Sequence, residues 1–156
     1  MRLYVVRHGP AEDDAPSGKD FDRALTPSGR ERVRDVARAL ERHDEKPRVI
    51  LTSPLVRAIQ TAEVLAAELG VTTVETSREM APGGDAVGLV RALVAQQRKR
   101  TMLVGHQPDL TLLVEALIGA RFAHDMLKAM VVGLNAHEDG KVDLRFVLDP
   151  KTLAFR

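Results

Sequence analysis

Short apolar runs alternate along this chain with stretches of helical periodicity, and that alternation is the strongest constraint on its fold. Leu3–Val6 is a continuous apolar run, as expected of a strand buried on both faces. Arg48–Thr52, Val71–Glu75, Thr101–Val104, Met130–Leu134 and Val142–Leu148 read as further strands, the last two joined by a turn at Glu138-Asp139-Gly140. Helices fill the gaps. Thr26 caps one with Pro27 at its first position, and Val33, Val36, Ala37 and Leu40 recur at helical spacing. Ser53-Pro54 starts a second, whose stripe of Leu55, Ala58, Ile59, Ala62, Leu65, Ala66 and Leu69 stops at Gly70. Asp85 caps a third through about Gln97, and Pro108 opens a fourth that ends before Gly119. The expected fold is α/β: a three-layer α/β/α sandwich with a mixed, mainly parallel sheet, residues 1–156 forming a single domain.

Composition removes several functions. There is no cysteine, so disulfides, thiolate catalysis and cysteine-bound zinc are excluded. Basic and acidic residues number 23 and 22, a balance that argues against nucleic-acid binding by broad electrostatics. Aromatics are only 3%, which disfavours base-stacking platforms. No apolar stretch is long enough for a signal-peptide core or a membrane span, and a cytoplasmic location is expected.

Three of the expected strands end in chemistry-bearing groups: Arg7-His8-Gly9, Thr52-Ser53-Pro54 and Gly105-His106. Open α/β sheets bind ligands beyond the carboxyl ends of their strands. If these strands are parallel neighbours, Arg7, His8, Arg57 and His106 converge there, with Arg57 on the first turn of its helix. A neutral histidine can attack a phosphoryl group when its other ring nitrogen is held as a donor. Arginine forks clamp the equatorial oxygens, and a second, protonated histidine adds a donor and charge. The two histidines could instead be metal ligands, but the flanking arginines disfavour a bound cation, so no metal and no cofactor is expected. His43, His124 and His137 read as structural.

These residues carry a resemblance. Arg7-His8-Gly9 after an N-terminal strand, Leu25-Thr26-Pro27-Ser28-Gly29, the segment Ser53-Pro54-Leu55-Val56-Arg57-Ala58-Ile59-Gln60-Thr61-Ala62, and Gly105-His106-Gln107-Pro108 resemble, in order, the motifs of the histidine phosphatase superfamily with its phosphoglycerate-mutase-like fold. The chain is as short as the phosphohistidine phosphatases of the SixA kind, which it also resembles at Pro82-Gly83-Gly84-Asp85. The resemblance implies a transient phosphohistidine on His8 and a phosphate pocket of Arg7, Arg57 and His106, with the backbone N–H of Gln107 contributing. Glu79 falls where larger relatives place a general acid, and Asp85 is the second choice. Against these roles stand a solvated loop glutamate and a helix cap. The expected substrate is phosphohistidine on a protein partner, such as a histidine phosphotransfer domain. A small-molecule phosphomonoesterase and a non-catalytic phosphate- or phosphoprotein-binding module are the alternatives.

Overall fold

The structure is a computed structural model that describes residues 1–156. Its strands are β1 (Arg2–Arg7), β2 (Val49–Thr52), β3 (Thr73–Thr76), β4 (Thr101–Gly105), β5 (Val131–Ala136) and β6 (Val142–Leu148). Its helices are α1 (Pro27–Arg42), α2 (Val56–Leu69), α3 (Ala86–Ala95) and α4 (Asp109–Ile118). The six strands form one sheet in the order β3-β2-β4-β1-β5-β6. The first four run parallel to one another, and β5 pairs antiparallel with both β1 and β6.

Alternate residues of β1 enter different cores. Tyr4 and Val6 pack with α1 and α2 on one face, while Leu3 and Val5 pack with α3 and α4 on the other. A strand buried on both faces needs apolar residues at every position, which is why Leu3–Val6 is unbroken. The result is the expected three-layer α/β/α sandwich.

Most boundaries fall within two residues of the sequence reading. Two differences have clear causes. The second helix does not start at Pro54: the Ser53 hydroxyl accepts from the Leu55 backbone N–H at 3.2 Å, and that turn delays the helix to Val56. Arg57 still lies in the first turn. The third strand begins at Thr73 rather than Val71 because the Val71 N–H bonds back to the Ala66 carbonyl. This contact closes α2 around Gly70, whose φ of 68° suits a glycine.

Two motif glycines have a packing explanation. A Cβ on Gly9 would stand 2.7 Å from Val33 Cγ2 of α1. A Cβ on Gly29 would stand 2.1 Å from the Pro10 carbonyl oxygen. The chain leaving β1 and the start of α1 thus touch backbone to backbone, which fixes how His8 is presented.

Candidate active site

The parallel neighbours β2, β4 and β1 end together, and their next residues meet at one edge. Arg7, His8, Ala11, Arg23, Arg57, His106, Gln107 and Lys128 line a pocket of ≈ 290 Å³ there. The convergence read from the three strand ends is what the fold produces. No carboxylate lines the pocket, and its walls carry four cationic side chains, Arg7, Arg23, Arg57 and Lys128.

His8 is 7% exposed, Arg57 6% and His106 5%, so all three are held within walls. The main chain of His8 is pinned on two sides. Its N–H donates to the Gly105 carbonyl, and its own carbonyl accepts from Ala129 N–H. The Gly9 N–H donates to Thr61 Oγ1 at 3.0 Å, and that hydroxyl donates to the Arg57 carbonyl at 2.8 Å. The helix bearing Arg57 is thereby tied to the chain bearing His8.

His8 Nδ1 lies 2.8 Å from the Gly9 carbonyl. A carbonyl only accepts, so Nδ1 carries the hydrogen and Nε2 keeps its lone pair. Burial is the main cause that lowers the His8 pKa to about 3, with further push from His106, Arg57 and Arg7. The ring is therefore neutral at neutral pH.

The His106 ring centroid lies 5.2 Å from that of His8, and its Nε2 is 2.7 Å from Ser53 Oγ. Ser53 already accepts from Leu55, so its own proton is free to go to Nε2, leaving a hydrogen on Nδ1. Burial, then Arg57, lowers the His106 pKa to about 4. This corrects the expectation of a protonated second histidine: burial and Arg57 keep the ring neutral, and it offers a neutral donor.

Arg7 donates through Nη1 to the Met126 carbonyl at 2.9 Å. Arg57 donates to the Asp20 carbonyl at 3.0 Å and to Asp20 Oδ2 at 3.2 Å. Three buried side-chain nitrogens have no partner: Arg7 Nε, Arg57 Nε and His106 Nδ1. All belong to residues lining this one pocket. Buried donors are normally satisfied, so such a cluster marks a place where an anion completes the hydrogen bonding.

The other expected site residues are placed differently. Gln107 reaches the pocket wall, but its side chain folds onto α4, donating to Thr111 Oγ1 and accepting from the Thr111 N–H. It also precedes the helix, which begins at Asp109 with Pro108 as its cap, so the Gln107 backbone N–H lies outside the first turn of α4. Glu79 does not line the pocket. It sits on a short 3-10 turn, fully exposed, where the Ser77 hydroxyl donates to it at 2.6 Å and holds its carboxyl below the usual range. An acid strengthened in this way is a poorer proton donor at neutral pH. Asp85 caps α3, accepting from Gly88 N–H at 2.9 Å. Asp20, Arg23 and Lys128 escaped the sequence reading, because charged residues in a polar loop look like solvated surface. A larger cavity of ≈ 690 Å³ lies elsewhere, lined by Arg2, Arg48, Lys99 and Arg100 among others, but it contains neither His8 nor His106.

Comparisons with known proteins bear on the family and the fold. Residues 3–109 match the histidine phosphatase superfamily (branch 1). An uncharacterized protein of Picosynechococcus sp. is 39% identical, covering 98% of this chain and 99% of the relative. Phosphohistidine phosphatase SixA of Escherichia coli is 28% identical over 98% of this chain and 96% of its own length. A solved structure of the protein histidine phosphatase SixA complexed with tungstate superposes with a TM-score of 0.90 at 28% identity, over 99% of this chain and 100% of that one. The chain belongs to the histidine phosphatase superfamily and is a phosphatase of that type.

Proposed function

We propose that this enzyme removes the phosphoryl group from phosphohistidine on a protein partner, through a phosphohistidine intermediate on His8 and without a metal. One observation carries the reading. The pocket gathers the three unpartnered buried nitrogens of Arg7, Arg57 and His106 around a neutral histidine, and no carboxylate lines it. Such a wall fits an oxyanion and repels a cation. It also contains no carboxylic acid to protonate a leaving alkoxide.

The chemistry follows from the tautomer. Nε2 of His8 attacks phosphorus while the bond from phosphorus to the substrate imidazole nitrogen breaks. A substrate ring protonated on its second nitrogen leaves as neutral imidazole, so the enzyme need supply no proton. The arginines and His106 hold the equatorial oxygens as charge shifts during transfer. The phosphorylated His8 ring keeps its Nδ1 hydrogen on the Gly9 carbonyl, so it too is primed to leave. Water then attacks phosphorus, the bond to Nε2 breaks, and inorganic phosphate departs with His8 neutral again.

The connection between β3 and α3 supports a protein substrate. It is short, and its Met80 is buried against the sheet near Gly105. The segment packs down onto the core instead of arching over the pocket. SixA of Escherichia coli, similar along its whole length, is a phosphohistidine phosphatase, and a solved SixA structure holds the oxyanion tungstate.

The test is rapid-quench labelling beside a substrate comparison. With a labelled phosphohistidine protein, acid-labile and base-stable phosphate should appear on His8, and His8→Ala should lose both label and turnover. Activity should survive exhaustive chelation. The kcat/KM on the phosphoprotein should exceed that on sugar phosphates. A small phosphate monoester that is the better substrate by a wide margin would replace the protein substrate in this reading.

A further inference from the structure

We propose that Asp20 is a positioning residue for catalysis, and that Arg23, which it holds, is a further phosphate-binding cation of the pocket. The inference rests on the reading of the pocket as a phosphoryl-transfer site and extends its machinery into the loop between β1 and α1. A single carboxylate joins two guanidinium groups. Asp20 Oδ2 accepts from Arg57 Nη2 at 3.2 Å, and Oδ1 accepts from Arg23 Nε at 2.8 Å. The Asp20 carbonyl accepts from Arg57 Nη1 at 3.0 Å, and Arg23 Nη1 donates to the Glu12 carbonyl at 2.8 Å. Both arginines line the pocket, and Asp20 does not.

The physical need is plain. Arg7, Arg23, Arg57 and Lys128 crowd one small space with no carboxylate in its lining. Without a counter-charge behind them, the guanidinium groups repel and splay. A carboxylate placed behind Arg57 and Arg23 turns both forks and leaves the buried Arg57 Nε without a partner, available to an oxyanion. Core packing does not account for the arrangement. The 3-10 turn Asp20–Asp22 buries none of its residues. The Asp20 side chain is 66% exposed beside an Arg57 side chain at 7%. Ion pairs with an exposed partner contribute little to stability, so the consequence of this pair falls on where the Arg57 donors point.

A rival function shares the same contacts: Asp20 could compete with the substrate for Arg57. The two differ in sign. The experiment uses the full chain carrying Asp20→Ala, Asp20→Glu, Arg23→Gln and the Asp20→Ala/Arg23→Gln pair. It measures kcat and KM on phosphohistidine, the affinity for inorganic phosphate, and the melting temperature. Asp20→Ala should lower kcat by about 10–100-fold, the scale on which supporting residues act on the groups they orient, with the melting temperature unchanged. Asp20→Glu should recover part of the loss. Arg23→Gln should weaken inorganic phosphate, and the double variant should be no worse than the worse single variant, because the two residues act as one unit. An Asp20→Ala enzyme that binds phosphate more tightly, or turns over faster, would show a competitor and overturn the proposal. Unchanged kcat and phosphate affinity would overturn it as well. If Asp20→Ala does not fold, Arg23→Gln decides alone, and normal kinetics with normal phosphate affinity refute the proposal. Full activity in His8→Ala would instead sink the reading of the pocket, whereas a dead His8→Ala beside a normal Asp20→Ala sinks only this inference.

Discussion

Two buried clusters of charge use opposite bonding strategies in this fold. Near the start of β2, the buried Glu45 accepts from Tyr4 Oη at 2.8 Å and from both Arg145 terminal nitrogens, with Arg2 3.8 Å away. Arg145 and its hydrogen bonds pull the Glu45 carboxyl down against the opposing effect of burial, and burial pushes the Tyr4 hydroxyl up to about 12. No buried side-chain nitrogen or oxygen of that group is left unpartnered. At the other cluster, Arg7 Nε, Arg57 Nε and His106 Nδ1 are buried with nothing to bond. A satisfied network contributes to the folded state, while an unsatisfied one keeps its donors for a ligand. The contrast identifies the site better than cavity size does, since the ≈ 690 Å³ cavity lacks such nitrogens and the ≈ 290 Å³ pocket holds them all.

Exchanging damage between the clusters tests the contrast most sharply. Arg57→Ala should lower kcat by ~10²–10³, the usual loss on removing one donor aimed at developing charge. It should leave the folded state comparatively intact, because the buried Arg57 Nε has no partner and the ion pair lost is to an exposed carboxylate, Asp20. Glu45→Ala should do the reverse. It strands Tyr4 and Arg145 and should cost about 1–3 kcal/mol of stability per stranded buried group, with kcat little changed. Denaturant titration and steady-state kinetics on both variants would decide. A normal rate in Arg57→Ala, or a large rate loss in a folded Glu45→Ala, would break the distinction.

Acid should separate the clusters next. His8 and His106 are lowered to about 3 and about 4, against an ordinary histidine near 6.5 in the unfolded chain. Between about pH 6.5 and pH 4 the unfolded chain takes up protons at these positions and the folded chain does not. Their contribution to stability is therefore present above about pH 6.5 and declines as pH falls through that window. It levels off once the folded rings also protonate, near pH 4 and pH 3. Replacing His8 with Asn should make the fall shallower from about pH 6.5 downwards, while Glu45→Ala should alter the curve only below about pH 5, where an unfolded glutamate begins to protonate. Urea titrations across this range check both statements. Bound inorganic phosphate should counter the effect, because an anion favours the protonated rings.

Much of this was legible in the sequence, and the rest was hidden for definable reasons. The unbroken run Leu3–Val6 revealed a strand covered on both faces, and the strand-end groups at His8 and His106 pointed to one edge of a parallel sheet. Thr26 and Asp85 cap their helices as their residue types suggest. What could not be read were contacts between residues far apart in the chain. Ser53 looked like a helix cap, yet its hydroxyl serves His106, 53 residues away. Thr61 and Gln60 entered the sequence reading only as members of the segment Ser53–Ala62, yet they accept from the Gly9 and Leu25 N–H groups. Asp20 and Arg23 lie in a polar loop whose composition resembles any solvated turn. Local periodicity carries information about which face is buried, but not about which hydroxyl reaches which ring.

Glu79 supplies the smallest expected effect, and a useful one because the sequence position suggested an acid. Its carboxylate is exposed, bonded to Ser77 and outside the pocket lining, where only cationic and neutral groups are found. Glu79→Gln keeps the shape and removes the charge. If proton donation to the leaving group came from Glu79, this change would slow alkyl phosphates much more than phosphohistidine, because an alkoxide needs a proton and a protonated imidazole does not. The geometry predicts instead that kcat on both substrate classes stays within about twofold of the parent, as befits a surface substitution away from the reacting groups. Paired measurements on one alkyl phosphate and one phosphohistidine protein give the answer as a ratio, which cancels errors in enzyme concentration. A selective loss on the alkyl phosphate would mean that the turn bearing Glu79 swings over the pocket during turnover, and the small-molecule reading would gain the acid it now lacks.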